Sequence, residues 1–306
     1  MGSRQKMIKR FYVALSGGMD SVVLLHQLAN NPAYQNKLEA IHVNHALSPH
    51  ANDWEAFCAQ LCQSWNIPFL AFQITVKPEV GESLEAVART QRYAIFKGLL
   101  QADEALLTAH HQDDQAETVL LQLIRGAGVK GLSAMPAEKS LGQGVLMRPL
   151  LKKSHEDILQ YALEHNLKWI EDESNQNCDF SRNFLRHKII PLLKERWPSV
   201  AKTLSRSAEH CAEADELFNE IAKLDYKTCA LPENRLSITA LKTLSFPRQK
   251  QVLRHWIASA GHHYPSTQFI QTLLDDVVNA ASDAHPVLHL KTLNVRRSKN
   301  ELYLTA

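Results

Sequence analysis

Six residues near the start of the chain, Ser16-Gly17-Gly18-Met19-Asp20-Ser21, have the composition of an anion cradle. The glycines remove Cβ atoms so that backbone N–H groups can close around a phosphate, and the N-terminus of a following helix adds a favourable dipole. Ser16 and Ser21 supply hydroxyl donors, and Asp20 stands where it can hold a Mg2+ that neutralises phosphate charge. A Gly-Gly-x-Asp turn alone is common, and the plain alternative is a glycine-rich turn with a capping aspartate. Its setting argues for the cradle: a short apolar run precedes it and helical spacing follows it. Other nucleotide loops are absent, since there is no G-x-x-x-x-G-K-S/T and no G-x-G-x-x-G after this run.

The elements that must position this loop follow from hydrophobic periodicity. Phe11 to Leu15 reads as a buried strand, and Ser21 to Ala29 has helical spacing. Leu38 to Val43, Phe69 to Val76 and Ala105 to Ala109 are further strand candidates. Between and after them lie helices around Trp54 to Trp65, Ser83 to Leu100 and Asp114 to Arg125. Strands alternating with helices of this length predict an α/β fold, a Rossmann-like doubly wound parallel sheet whose first βα turn is the expected ligand site. Gly126 to Gly144 reads as a loop-rich stretch leading to Leu146-Met147-Arg148-Pro149-Leu150. Phe180 to Arg196 is helical with Pro191 as a kink, and Ser199 to Leu224 is helical again. Val287 to Thr305 alternates as a hairpin turning near Ser298-Lys299-Asn300. The expected division is residues 1–195, an α/β domain carrying the loop, and 196–306, a smaller, mainly helical domain ending in this hairpin.

Composition limits the function classes. The 306 residues are 45% hydrophobic and 22% charged, as in a soluble globular protein, and no apolar run approaches the length of a membrane helix. The first six residues carry no signal-peptide stretch, and Lys6 stands where a myristoylation signal has Ser or Thr. Five cysteines, an odd number, fit a reducing cytoplasm. The net charge of +2 excludes a polybasic binder, but it averages unlike parts. Residues 179–206 hold seven basic side chains against Asp179 and Glu195, whereas residues 1–178 carry 16 basic and 19 acidic groups. Arg186, Lys194 and Arg196 in that stretch read equally as a solvated helix face or as a phosphate-binding edge for RNA.

The loop resembles the S-G-G-x-D-S element of the PP-loop ATP pyrophosphatases, which cleave ATP between the α and β phosphates and adenylate a substrate oxygen. Four more segments are similar to the tRNA(Ile)-lysidine synthetases within that superfamily. They are His42-Val43-Asn44-His45-Ala46-Leu47, the Arg89 to Tyr93 helix segment, Ala109 to Thr118, and Asp172-Glu173-Ser174-Asn175 with Arg182-Asn183 and Arg186. The resemblance covers residues 11–191. It implies ATP and Mg2+ as cofactors, with free L-lysine and a CAU-anticodon tRNA(Ile) as partners, and no oligomeric state follows from it. The implied reaction adenylates C2 of the wobble cytidine and then replaces AMP by the lysine amine. Longer members of the family carry a further C-terminal domain, so this chain is expected to be either a short form or a truncated one.

The resemblance then assigns candidate roles. Ser16 to Ser21 with His42 and His110 would line the nucleotide site. Asp114 and Glu117, three apart on one helix face, would bind the lysine ammonium and help deprotonate it; otherwise they are acids favoured by a helix N-terminus. Arg182, and second to it Arg89, would steady negative charge on the activated nucleotide. The histidines could equally be satisfied structural residues. Cys58 and Cys62, i and i+4 on an apolar helix, read as packing. No C-x-x-C is present, which counts against the first rival, a PP-loop tRNA thiolase. The second rival is an RNA-binding protein regulated by a nucleotide without turnover, which would need no ammonium pocket.

Overall fold

Phe11, Tyr12 and Val13 are all buried, so strand β1 (Arg10–Ala14) is covered on both faces. That requires an unbroken apolar run where a half-exposed strand would alternate, and it marks the centre of a parallel sheet. In the computed structural model, which describes residues 8–76, 84–173, 177–262, 264–281, 284–290 and 293–305, β1 is flanked in parallel by β2 (Leu38–Asn44) and β4 (Glu104–Leu107). Strand β3 (Phe69–Gln73) continues beyond β2, and β6 (Gly144–Met147) beyond β4, both parallel. Strand β5 (Glu138–Leu141) closes the edge antiparallel to β6, giving the order β3-β2-β1-β4-β6-β5. The N-terminal six residues, Ser83, and the Ser174-Asn175 pair lie outside the described residues.

Alternate residues of β1 feed two cores. Phe11 and Val13 pack with Leu24, Leu25, Cys58, Cys62 and Ile158, from helices α1 (Met19–Ala29), α2 (Ala51–Ser64) and α6 (His155–Glu164). Tyr12 packs on the other face with Phe96 and Leu100, carried by or just after α3 (Leu84–Leu99). Helix α4 (Gln112–Ile124) follows β4, and a single turn, α5 (Val129–Leu132), follows it.

Two local expectations are corrected. The stretch 126–150 is not only loop: it contains the β5–β6 hairpin, with fully buried β6 inside the sheet. Four-residue strands are too short to show a period, and the turn at Gly142 (φ 60°) looks like loop composition; a Cβ there would lie 2.4 Å from the Lys97 carbonyl oxygen. Beyond it, residues 181–196 form α7 (Ser181–Phe184), a π-helical turn Leu185–Ile189 and α8 (Ile190–Arg196). Pro191 brings no N–H to the ladder, and the π turn immediately before it absorbs the missing bond.

The chain divides into two compact units, Met1–Ala212 and Glu213–Ala306. The break thus falls inside the long helix α9 (Val200–Cys229) and not at the expected residue 195. In the second unit Trp256, Leu253 and Ile257 of helix α10 (Phe246–Ser259) pack against Ile270, Leu273 and Leu274 and against a small sheet. The expected C-terminal hairpin is present, with β10 (Leu293–Ser298) antiparallel to β11 (Glu301–Thr305) and Lys299 at φ 50° in its turn. It is widened to five strands by β9 (Val287–Leu290), β7 (Ala230–Leu231) and β8 (Arg235–Ser237). No helix among the described residues is long and apolar enough to cross a membrane.

Candidate active site

The chain winds from β1 outward to β3, then returns to place β4 on the other side of β1. The loops leaving β1 and β4 therefore diverge, and a crevice opens between them at the carboxyl ends of the strands. Both loops carry polar side chains that meet there.

The first loop is Ser16–Gly18. Gly17 has φ 89°, and a Cβ on it would lie 2.7 Å from Ile170 Cδ1 and 3.2 Å from Cys58 Sγ. The Gly17 carbonyl also accepts the Ile170 N–H at 2.9 Å, so the turn is held against the β-carbon-free side. Ser21 Oγ donates to the Gly18 carbonyl (2.9 Å) and lies 3.2 Å from Ser16 Oγ, which shapes the loop from within. No side chain caps the α1 N-terminus at Gly18. Asp20 follows at the mouth; its Oδ1 is buried without a hydrogen-bond partner.

The second loop ends in a capping box. His111 Nδ1 accepts the Asp113 N–H (3.2 Å), while Asp114 Oδ2 accepts the His111 N–H (3.0 Å). This bonding places the imidazole proton on Nε2, which lies 3.5 Å from both Asp20 Oδ2 and Asp114 Oδ2. His111 therefore ties the two loops together. Burial disfavours its imidazolium, but Asp20, Asp114 and Asp113 outweigh this and raise its pKa.

Asp114 and Glu117 are brought together as expected, 8% and 1% exposed, but they face two guanidiniums. Glu117 Oε2 accepts from Arg182 Nε (2.7 Å), and its Oε1 from Arg186 Nε (2.6 Å). Asp114 Oδ1 accepts from Nη2 of both arginines, at 3.0 and 2.8 Å. Burial alone would raise the Asp114 pKa, yet His111, Arg182, His110 and Arg186 bring it down to about 2. Two carboxylates and two guanidiniums make a neutral set in which every carboxylate oxygen accepts a hydrogen bond.

That geometry gives several expected site residues protein partners. Arg186, expected at the RNA edge, is a partner of Glu117 and Asp114. Lys194, expected on the same basic edge, is held by Asp113 Oδ1 (2.7 Å) and Glu156 Oε1 (3.0 Å), and so ties α8 to the starts of α4 and α6. Only Arg196 of the three is exposed at the surface. His42 is buried; its Nδ1–H donates to the Leu15 carbonyl at 2.8 Å, so it fixes the entry to the first loop. His110 shares a 2.9 Å hydrogen bond with Thr108 Oγ1, and burial pushes its pKa down to about 3, keeping it neutral. Arg89 is exposed, its Cζ 5.0 Å from the Tyr93 ring centroid. Cys58 and Cys62 are buried with thiol pKa values pushed up to about 12, as inert packing requires.

His111 stood in the sequence among the strand-end histidines expected to shape the nucleotide pocket. Arg148 lay beyond the sequence reading: it follows a strand too short to detect, and it is 3% exposed.

Comparison with known proteins agrees with this geometry. A PP-loop domain model matches residues 3–193, and a TilS substrate binding domain model matches residues 236–303. The chain is 47% identical over 296 residues to a tRNA(Ile)-lysidine synthase of Coxiella burnetii, covering 96% of this chain and 66% of that protein. It is 42% identical over 302 residues to a tRNA(Ile)-lysidine synthase of Legionella pneumophila, covering 99% of this chain and 70% of that one. The chain belongs to the tRNA(Ile)-lysidine synthase family. It spans about two thirds of the length of these lysidine synthases. Among solved structures, a U34-tRNA thiolase of Methanococcus maripaludis is similar at a TM-score of 0.57 and 21% identity, covering 69% of this chain and 74% of that chain. That likeness extends to the PP-loop fold and no further.

Proposed function

We propose that the protein uses ATP to activate the wobble cytidine of a CAU-anticodon tRNA(Ile) and then joins L-lysine to it, forming lysidine. The observation that carries this reading is the convergence of an anion-cradling loop and a buried carboxylate pair at one switch point, in a chain of this family. The rival readings lack support here. The cysteines nearest the loop are buried and protonated, and no C-x-x-C exists to hold or transfer sulfur. A binder without turnover would have no use for Asp114 and Glu117 at the mouth of a nucleotide cradle.

The chain's residues would act as follows. The Ser16–Ser21 loop and the uncapped start of α1 receive the ATP phosphates. Asp20 Oδ1, a hard anionic oxygen buried without a partner, fits a Mg2+ bound through one carboxylate together with phosphate oxygens and water. When bound, that ion withdraws charge from the phosphates. In the first step the cytidine C2 oxygen attacks the α-phosphorus, and the bond to the β-phosphate oxygen breaks to release diphosphate. In the second, the neutral ε-amine of lysine adds at C2, the C2–O bond breaks and AMP leaves. Asp114 and Glu117 bind the amine and accept its proton. Because their oxygens are engaged by Arg182 and Arg186 beforehand, the incoming ammonium replaces an arginine contact. The released Arg182 then turns its charge to the adenylated nucleotide. Arg196 stays the candidate from the basic stretch for a tRNA phosphate. An odd number of cysteines accords with a cytoplasmic location.

Transfer of labelled lysine to an unmodified CAU-anticodon tRNA(Ile) transcript, with ATP omitted as control, tests the reading. ATP-dependent incorporation is expected. Its absence, with sulfur transfer in its place, would overturn the assignment in favour of a thiolase.

A further inference from the structure

Arg89 on α3, Lys139 on β5 and Arg148 just after β6 gather around one aromatic ring. Arg89 Cζ lies 5.0 Å and Lys139 Nζ 5.9 Å from the Tyr93 centroid, and Arg148 faces the same side chain. Arg148 is 3% exposed; its Nη1 donates to the Pro136 carbonyl at 2.6 Å, while its Nε is buried without a partner. Burial and mutual repulsion depress the pKa values of both Lys139 and Arg148. Among the described residues, the charged groups acting on them are one another and Arg89, with the Tyr93 phenol between; no carboxylate is among them. Asp114, the nearby acid, is already matched by Arg182 and Arg186.

A desolvated cation without a counter-charge is costly, and buried Arg148, with exposed Arg89 and Lys139 beside it, is complete only when an anion joins them. The cluster adjoins the chemistry, since His110 feels Asp114 and Arg182 as well as Arg148 and Arg89. It lies on the α3 face of the sheet, with Tyr93 in that core, whereas the Ser16–Ser21 loop opens α1 on the opposite face. One nucleotide cannot place the same phosphates on both. We infer that Arg89, Lys139 and Arg148 form a second anion subsite, which takes a phosphodiester of the RNA strand next to the reacting cytidine. This rests on the proposed function, and it moves the RNA contact from Arg186 and Lys194, which are ion-paired, to cations with no ion-pair partner among the described residues.

The test uses the whole chain and an anticodon stem-loop RNA bearing CAU, with binding read by fluorescence anisotropy across a salt series. Lys139→Gln should weaken binding roughly three- to tenfold at low salt and reduce the log–log salt slope by about 0.7, and Arg89→Gln/Lys139→Gln by about twice that. The KM for ATP in diphosphate release, read at saturating RNA, should be unchanged in Lys139→Gln. Unaltered RNA affinity and slope, beside a wild type that binds RNA, would overturn the subsite and leave the functional reading intact. A raised KM for ATP with an unaltered slope would assign the anion to the nucleotide and equally overturn it. A wild type that neither binds this RNA nor transfers lysine would remove both.

Discussion

Glu117 is the residue whose environment differs most from its expected one, because a side chain 1% exposed meets two arginines at 2.6 and 2.7 Å. Glu117→Ala removes a carboxylate proposed to bind lysine and leaves Arg182 and Arg186 with Asp114 alone. Breaking a buried pair costs several kcal/mol, but both arginines are partly solvated, so a loss of about 2 kcal/mol is expected. Glu117→Gln keeps the volume and should fold better; in both variants diphosphate release should survive better than lysine transfer. Equal loss of the two steps would remove Glu117 from the amine site. Asp20→Ala should instead abolish diphosphate release outright, measured with ATP and tRNA in the absence of lysine. The histidines predict an acid sensitivity. Burial pushes His110 down to about 3 and His45 to about 4 from 6.5, so the folded chain refuses protons that the unfolded chain accepts. Their stabilisation is whole above about pH 6.5 and is lost as pH falls toward the folded values, by at most about 1.4 kcal/mol per unit per group. His45 is partly solvated and contributes less. His111, with a raised pKa, runs the other way: its contribution is complete at low pH and fades as pH rises through its folded value. Asp114, at about 2, holds its own contribution until far lower pH. The Tm should therefore fall between pH 6.5 and 4.5, and His110→Asn should flatten that fall. A Tm unchanged across this range would contradict the buried neutral histidine.

At the scale of elements, the nucleotide loop depends on what packs behind it. Gly17→Ala adds a Cβ at φ 89°, for about 1–2 kcal/mol of backbone strain, and drives it into Ile170 Cδ1. The variant should lose stability by at least that amount and bind ATP poorly. Pairing it with Ile170→Val relieves the overlap but not the backbone, so recovery should be partial by chemical denaturation; full recovery would show that sterics alone require this glycine. Lys194 is the corresponding test on α8. Because it bridges Asp113 and Glu156, Lys194→Met should cost about 1 kcal/mol of stability while leaving the salt slope of RNA binding as it was. A slope reduced by a full contact would return Lys194 to the RNA surface. The parallel strands were legible as short apolar runs, and so were the helices between them. Strands β5 and β6 were not, since four residues carry no measurable period, and the π turn before Pro191 depends on a bond that only the folded helix can miss.

Across the whole molecule, each of the two units has a hydrophobic core of its own. Phe11, Val13 and Ile158 build one, while Leu236, Trp256 and Ile270 build the other. Trp256 is the sole tryptophan after residue 212 and is completely buried, with its Nε1–H on the Asn234 carbonyl at 2.8 Å. Its emission should therefore report the second unit alone. In a chain with the other four tryptophans changed to Phe, the Trp256 transition in urea should not coincide with loss of ATP binding, which reads the first unit. Coincident transitions would mean that the two unfold as one cooperative body.

The amino-acid sequence by itself determined the alternation of strands and helices, the anion-cradling loop and the family, because these rest on local periodicity and on contiguous motifs. It also placed Asp114 and Glu117 on one helix face, since that follows from a spacing of three. What covers those carboxylates was decided only in three dimensions. Arg182 and Arg186 lie more than sixty positions away along the chain, and no short-range pattern says whether a basic helix meets solvent, RNA or a buried acid. The same holds for Arg148, whose burial beside Arg89 and Lys139 arises from the pairing of β6 in the sheet. Charge runs along a sequence count the cations; folding decides which of them are already neutralised and which still lack an anion.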